Sequence, residues 1–340
     1  MKKGYLYILL SAVLFSSVEI ALKFFAGSFN PIQLSFLRFL IGAVVLMPLS
    51  VKGLKKRNRR FGARDFSFFA LTGFICVVIS MVLYQMALLY SPASMVAVLI
   101  CSNPVFIALF AHWILREEVH KHTVFSLIVS IAGIIVILNP GHVSGQTLGL
   151  VLTVLAAVTV ALYSVIGHTR SGEYGGVALT CFTFLFGSME MLSLICLTRI
   201  GFVSSFFAQL GLPVFSNIPI LSGINGHTLP SLLFIGVFNT GLGYAFYFLA
   251  MEATSAITAS LVFFIKPALA PVLALLIVHE AISVHMIFGI LLILGGSMIS
   301  LIPGFKAARN KASKSTGKEY PEPDKNESRI EIEQTAVPPE

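Results

Sequence analysis

The sequence predicts an all-α polytopic membrane protein with ten transmembrane helices in two inverted five-helix repeats. Three observations predict it. Of the 340 residues, 56% are hydrophobic and only 11% charged, whereas an average soluble domain is about a quarter charged. Long apolar blocks recur along almost the whole chain, each near the ~20 residues that a helix needs to cross ~30 Å of hydrocarbon. A stretch of the first half also reappears in the second at a constant offset. A β-barrel would instead show segments of about ten residues alternating in polarity, and none is visible.

Bounded by charge, Gly, Pro or Asn, the blocks are 5–25, 32–51, 66–89, 93–115, 122–139, 147–168, 177–198, 229–250, 255–278 and 283–302. Turn residues separate them: Gly27 to Pro31, Ser91-Pro92, Asn139-Pro140-Gly141, and Ser171 to Gly176. Met1–Lys3 before an apolar run imitates a signal peptide. The run is longer than an h-region, carries Glu19 and Lys23, and lacks a small-x-small cleavage site, so it is expected to stay as the first helix.

Basic residues set the orientation. With loops numbered by parity, 19 of the 23 Lys and Arg fall on the side of the N-terminus, seven of them in VKGLKKRNRRFGAR (51–64). The opposite side carries only Arg199, and Lys23, Arg38 and Lys266 lie within blocks. The positive-inside rule then places both termini in the cytoplasm. The pI of 9.4 would suggest a nucleic-acid partner in a soluble chain, but here the positions of the basic residues matter more than their sum, and no nucleic acid is expected. The expected location is a cell membrane, the inner membrane of a bacterium. Residues 199–228 form a long external loop, apolar but broken by Pro213 and Pro219, part of which is expected along the membrane surface. Residues 304–340 read as a disordered cytoplasmic tail. Its basic start, 306–318, is either a contact with anionic lipid or an ordinary stop-transfer flank.

The third and fourth blocks lie over the eighth and ninth without a gap at an offset of 163. Tyr84 then meets Tyr247, Ala87 meets Ala250, Asn103-Pro104 meets Lys266-Pro267, and Glu117 meets Glu280. Five spans per copy is an odd number, so the second copy must enter the membrane the other way up. Such inverted repeats are typical of secondary transporters, with the site near the midplane between the halves. The division is 1–141 for the first repeat, 142–303 for the second and 304–340 for the tail.

On these residues the chain resembles the EamA-type branch of the drug/metabolite transporter superfamily, over about 5–302. The matching pieces are FSSVEIALK (15–23), SFLRF (35–39), SPASMVAVLICSNPVFIALFAHWILREEV (91–119) and ATSAITASLVFFIKPALAPVLALLIVHEAIS (253–283). The last two carry the mid-helix X-Pro and the Glu beyond it. Two features depart from the family pattern: Glu19, where an apolar or small residue is more usual, and the thirty-residue loop at 199–228. The resemblance implies a ten-helix, two-repeat carrier of small molecules.

The polar residues inside the blocks are the candidate site. Lys266 lies half-way along the ninth block, and Asn103 is its repeat counterpart. A mid-bilayer Lys must face a wet cavity or a partner, so Lys266 is either a cavity cation for an electronegative group or half of a structural ion pair. Glu19 needs a partner too, with Lys266, Lys23 and Arg38 as candidates. It is either a titrating proton or cation site or a permanent ion pair. Glu190 in the seventh block, Tyr84, Tyr247 and Asn239 complete the set, although aromatic residues in such helices more often pack. Glu117 and Glu280 are read as orienting hairpin turns.

No cofactor, metal or catalytic set is expected. The four cysteines (Cys76, Cys101, Cys181, Cys196) fall in apolar runs without CxxC spacing and read as small buried hydrophobes. His120 and His122 share a loop, but no HxxxH or HExxH is present. An intramembrane enzyme would need a nucleophile–base pair or metal ligands, and an ABC-type pump would need GxxxxGK[ST]. The inverted repeat disfavours a channel. Two carriers remain: a secondary exporter of amino acids, their derivatives or drug-like amphipathic compounds, and an antiporter of phosphorylated or nucleotide-linked solutes. The expected partners are a small-molecule substrate and membrane lipid, with proton or counter-solute coupling open. A homodimer is also open: Gly236, Gly241, Gly243, Gly289, Gly295 and Gly296 favour close helix approach, but no GxxxG pair is clean enough to require one.

The orientation has a direct test. In a cysteine-free background, Asn58→Cys is expected to resist an impermeant thiol reagent applied outside intact cells. Labelling there would reverse the topology.

Overall fold

The computed structural model describes residues 2–23, 28–58, 61–116, 121–138, 146–260, 262–263, 274–279, 284–285, 287–296 and 298–299. Lys266, Pro267, Glu117 and Glu280 lie outside the described residues, as does the expected tail, 304–340. Glu19 is placed on a helix, but its side chain lies outside them too. Among the described residues the regular structure is helical, and six helices are long and apolar enough to cross a membrane. Shorter apolar helices cover Lys3–Ser16 and Ile287–Gly296.

Local chemistry explains where the helices start and break. The first runs over Lys2–Ser16 and resumes as Val18–Lys23. At the break, the Ser16 hydroxyl donates to the Ala12 carbonyl (2.7 Å) and that of Ser17 to the Leu14 carbonyl (3.0 Å), bonds that compete with the backbone ladder and bend helices. Asn30 opens Pro31–Lys56 with a reciprocal box: its Oδ1 accepts from the Ile32 and Gln33 amides, and Gln33 Oε1 accepts from the Asn30 amide. Pro31, needing no amide partner there, sits at the first turn. This helix continues five residues past its apolar block, because Lys55 and Lys56 in its last turn suit the negative end of the helix dipole. In Ala93–Leu115, residues Ile100–Ser102 tighten into a 3₁₀ turn just before Asn103-Pro104. Pro104 has no amide to continue the α-helical ladder.

Helices 31–56 and 176–197 form the centre of the packing. Phe39 meets Phe184 edge-on at 4.6 Å, Cys181 Sγ lies 3.3 Å from the Ala43 carbonyl, and Ser50 Oγ lies 3.3 Å from that of Val177. Helix Ala63–Tyr90 packs on 176–197 and on 146–169, while helix Leu229–Ala253 packs on 31–56 and on the first helix. Exchanging the two halves of the chain maps one pair of contacts onto the other.

The correspondence reaches individual residues. Helix 63–90 contains a π-helical turn at Phe74–Ser80 and helix 229–253 contains one at Phe234–Leu242. Shifted by 163 residues, the first overlaps the second. Gly73, just before the first turn, and Gly236, third residue of the second, are also 163 apart, and each meets a glycine of the central pair. A Cβ on Gly73 would lie 2.5 Å from the Gly187 nitrogen, and a Cβ on Gly42 would lie 3.2 Å from the Gly236 carbonyl oxygen.

Loops of equal parity come together at each end. At the basic end, Arg57 donates to the Gly172 carbonyl (2.6 Å) and pairs with Glu252, whose other oxygen accepts from the Gly176 amide (3.0 Å). At the opposite end, Asn30 Nδ2 donates to the Val214 carbonyl, and Gln33 Nε2 to those of Ile220 and Ser222. The long loop there contains a helix, Gly201–Gln209, and a 3₁₀ turn, Pro213–Phe215. Of the cysteines read as buried, Cys76, Cys101 and Cys181 are, whereas Cys196 is exposed on the outward face of its helix.

Close glycine contacts make a sharp prediction for stability. Gly187→Ala would place Cβ 2.7 Å from the Gly73 carbonyl and 2.5 Å from Val77 Cγ2, and is expected to cost about 1–3 kcal/mol. At Gly53, also helical, a Cβ meets nothing within 4 Å, so Gly53→Ala is expected to be neutral or stabilising by up to about 1 kcal/mol. Thermal unfolding of the two purified variants checks the contrast.

Candidate functional site

A cavity of about 50 Å³ lies between the halves, room for only a few waters. Its wall takes residues from seven helical segments in both halves: Phe15 and Val18, Arg38, Met81 and Tyr84, Ile100, Val160, Asn239 to Tyr247, and Phe263. Aromatic rings dominate. Phe15 meets Tyr244 edge-on at 4.9 Å, and Tyr247 stands 5.8 Å from Phe263. Gly243 makes room for Phe15, since a Cβ there would lie 2.8 Å from its ring.

Four of the residues expected from the sequence line this cavity. Arg38, 3% exposed, is the one charged side chain in the described wall. Its Nη2 lies 2.8 Å from Met81 Sδ, and its Cζ sits 4.8 Å over the Phe39 ring. The π-face of Phe39 and the soft sulfur both favour a poorly hydrated guanidinium. Tyr84 and Tyr247, related by the offset of 163, face the same space. Asn239 is the fourth, on the π-helical turn of helix 229–253. Its Nδ2 donates to the Leu14 carbonyl (2.8 Å) and to Ser17 Oγ (2.9 Å), so the break in the first helix supplies its partners.

The others are placed elsewhere. Asn103 is fully buried and donates from Nδ2 to the Ala157 carbonyl at 2.9 Å, joining helix 93–115 to helix 146–169. Glu190 lies on helix 176–197, away from the cavity wall, and its Oε2 has no hydrogen-bond partner among the described residues. The side chains of Glu19 and Lys266 lie outside the described residues.

Sequence reasoning passed over Thr240, Tyr244, Phe15, Met81 and Phe263. Thr240 is 1% exposed, and its hydroxyl has no partner among the described residues. A single hydroxyl beside Asn239 and aromatic residues inside apolar blocks carry no signature separating wall from packing.

A second feature lies at the basic end, a wide depression between Arg57, Arg64, Asp65, Arg170 and Glu173. Asp65 accepts from the Gly62 amide (2.8 Å) and from the Tyr174 hydroxyl, and lies 3.5 Å from Arg170 Nη1. Arg170 stacks over Phe68 with Cζ 4.8 Å from the ring centroid. This network joins loops of the two halves, and the residues lining the depression are all charged among the described residues.

The model of the EamA-like transporter family matches residues 2–139 and again 147–302. The chain belongs to this family. It is a multi-pass membrane transporter of the drug/metabolite transporter superfamily and not an enzyme. An uncharacterized transporter of Clostridium kluyveri is 40% identical over 315 residues, covering 90% of this chain and 96% of its own. An uncharacterized transporter of Archaeoglobus fulgidus is 21% identical, covering 87% of this chain and 98% of its own. Protein PagO of Salmonella typhimurium is 22% identical over 86% of this chain and 91% of its own. A crystal structure with 18% identity superposes with a TM-score of 0.63, covering 88% of this chain and 98% of that one. At that identity the likeness concerns the fold.

The wall of this EamA-family cavity has a stability signature. Phe15→Ala removes a ring packed on Tyr244 and Gly243 and is expected to cost about 3 kcal/mol, the low end for such truncations, because water can enter the space. Phe15→Leu keeps most of the volume and is expected to cost less than half of that. Unfolding of the purified variants measures the difference.

Proposed function

We propose that this EamA-family protein is a secondary transporter that exports small amphipathic metabolites, amino acids or their derivatives or drug-like compounds, by alternating access. One observation carries the reading: repeat-related Tyr84 and Tyr247 line a single aromatic cavity between the halves, with one buried cation, Arg38, in its described wall. Such a wall suits a ligand with an apolar body and a few polar groups. A phosphorylated solute calls for a cluster of cations, so the antiporter reading has less behind it.

The halves are taken to be 1–141 and 142–303, related by a pseudo-two-fold axis in the membrane plane. The double family match, the paired π-helical turns and the exchange of packing partners support this reading. Two inverted copies exchanging conformations would supply an inward-open and an outward-open state from one sequence. Both termini are placed in the cytoplasm of a cell whose inner membrane holds the protein, Glu19 is taken as the titrating proton or cation site, and Lys266 as the cavity cation paired with it.

Uptake and efflux in proteoliposomes, with and without an imposed pH gradient, test this directly. Lys266→Met is expected to abolish transport. Combining it with Glu19→Gln is expected to restore the yield of folded protein without restoring transport, because no charge is then left unpaired in the membrane. Additive losses of folded protein in the double variant would show that the two are not neighbours. Wild-type transport that ignores the gradient would make Glu19 structural.

A further inference from the structure

The strongest unassigned feature is the orientation of the Asn239 amide. Asn239 is 1% exposed, so each of its polar atoms needs a partner or stays costly. Its Nδ2 faces the Leu14 carbonyl at 2.8 Å and Ser17 Oγ at 2.9 Å. A carbonyl only accepts. The Ser17 hydroxyl spends its proton on the same Leu14 carbonyl at 3.0 Å, so toward Asn239 it also only accepts. Two acceptors on one side fix the amide with its nitrogen toward the first helix. Oδ1 therefore points away from them, and it has no hydrogen-bond partner among the described residues. The Thr240 hydroxyl, next along the π-helical turn and in the same wall, is equally unmatched.

We infer that Asn239 is a specificity-determining residue, its clamped amide presenting an acceptor to a substrate N–H donor, an ammonium or an amide, with Thr240 beside it and Ser17 as the positioning residue. The inference rests on the transporter reading of the cavity and adds a selection rule to it. A solute carrying a donor at that point completes two buried polar atoms. One lacking the donor leaves both unmatched, and a site built to bond a polar group rejects the analogue that lacks it.

The test uses the full chain in lipid nanodiscs and matched pairs of probes: phenylalanine with 3-phenylpropionate, and leucine with 4-methylpentanoate. Within each pair only the amino group differs. The wild type is expected to bind the amine-bearing member at least about tenfold more tightly, the scale of one unmatched buried polar group. Asn239→Leu is expected to bring the pair within about twofold by weakening the amine-bearing member alone. Thr240→Val removes an unmatched atom, so it is expected to melt no lower than wild type while reducing the preference. Ser17→Ala is expected to raise Kd severalfold for the amine-bearing probes and leave the others unchanged, and Ser17→Thr to restore it. A wild type without preference, or a preference that survives both Asn239→Leu and Thr240→Val, overturns the inference while liposome uptake of the probes leaves the transporter reading intact. Absence of both binding and uptake for all four probes overturns the two together.

Discussion

Helices 31–56 and 176–197 come from opposite halves of the chain, and the rest of the structure is arranged on their contact. Lipid offers no hydrophobic drive for two apolar helices to associate, so the contact must rest on close van der Waals fit. Phe39 against Phe184 fills one part of it. The flanking helices reach this pair through glycine: Gly73 against Gly187, and Gly236 against Gly42. Both contacts lie at the start of a π-helical turn. Wider turns change which side chains face inward over the following residues, and the inward-facing residues there are Met81, Tyr84, Tyr244 and Tyr247. The close approach of the flanking helices to the central pair and the aromatic wall of the cavity thus meet at the same two turns.

The ends of the molecule are held differently. At the basic end Arg57 reaches the loop of the other half, and at the far end Asn30 and Gln33 reach the long loop. The Arg57–Glu252 side chains are 38% and 25% exposed, and an ion pair in that setting contributes only about 0–1 kcal/mol. Separating such contacts costs little beside prying apart backbones in direct contact at glycine. The glycine contacts that tie helices 63–90 and 229–253 to the central pair are thus the stronger joints, and the exposed Arg57–Glu252 pair is the weaker one.

How far the sequence reaches into this arrangement depends on the kind of signal. For the six long helices the extents were legible within about five residues from apolar blocks and turn residues, because a bilayer demands a minimum length of apolar helix. The offset of 163 was legible in Tyr84 and Tyr247, and it led to two residues that share the cavity. It passed over the glycines: Gly73 and Gly236 obey the same offset, but Gly matches are common in apolar sequence. The π-helical turns have no composition of their own and stayed invisible. Asn103 shows the opposite limit. A mid-helix amide reads the same whether it faces a cavity or, as here, spends its donor on the Ala157 carbonyl. Thr240 and Phe15 look like packing until the fold places them.

The helical interruptions and the cavity coincide. Phe15 and Val18 flank the break at Ser17, Met81 follows the turn at 74–80, Ile100 opens a 3₁₀ turn, and Asn239 and Thr240 lie within the turn at 234–242. Helix ladders bend most readily at such points, and a buried backbone outside the regular ladder is tolerated in a membrane where protein covers it or water reaches it. A cavity of about 50 Å³ is too small for a solute much larger than a few waters, so admitting one requires the wall to move. Most of the wall comes from segments at or next to such interruptions, whereas Arg38 and Val160 enter it from the continuous helices 31–56 and 146–169. Any widening of the narrow aromatic cavity would thus begin where the ladder is already interrupted, at Ser17, 74–80, 100–102 and 234–242.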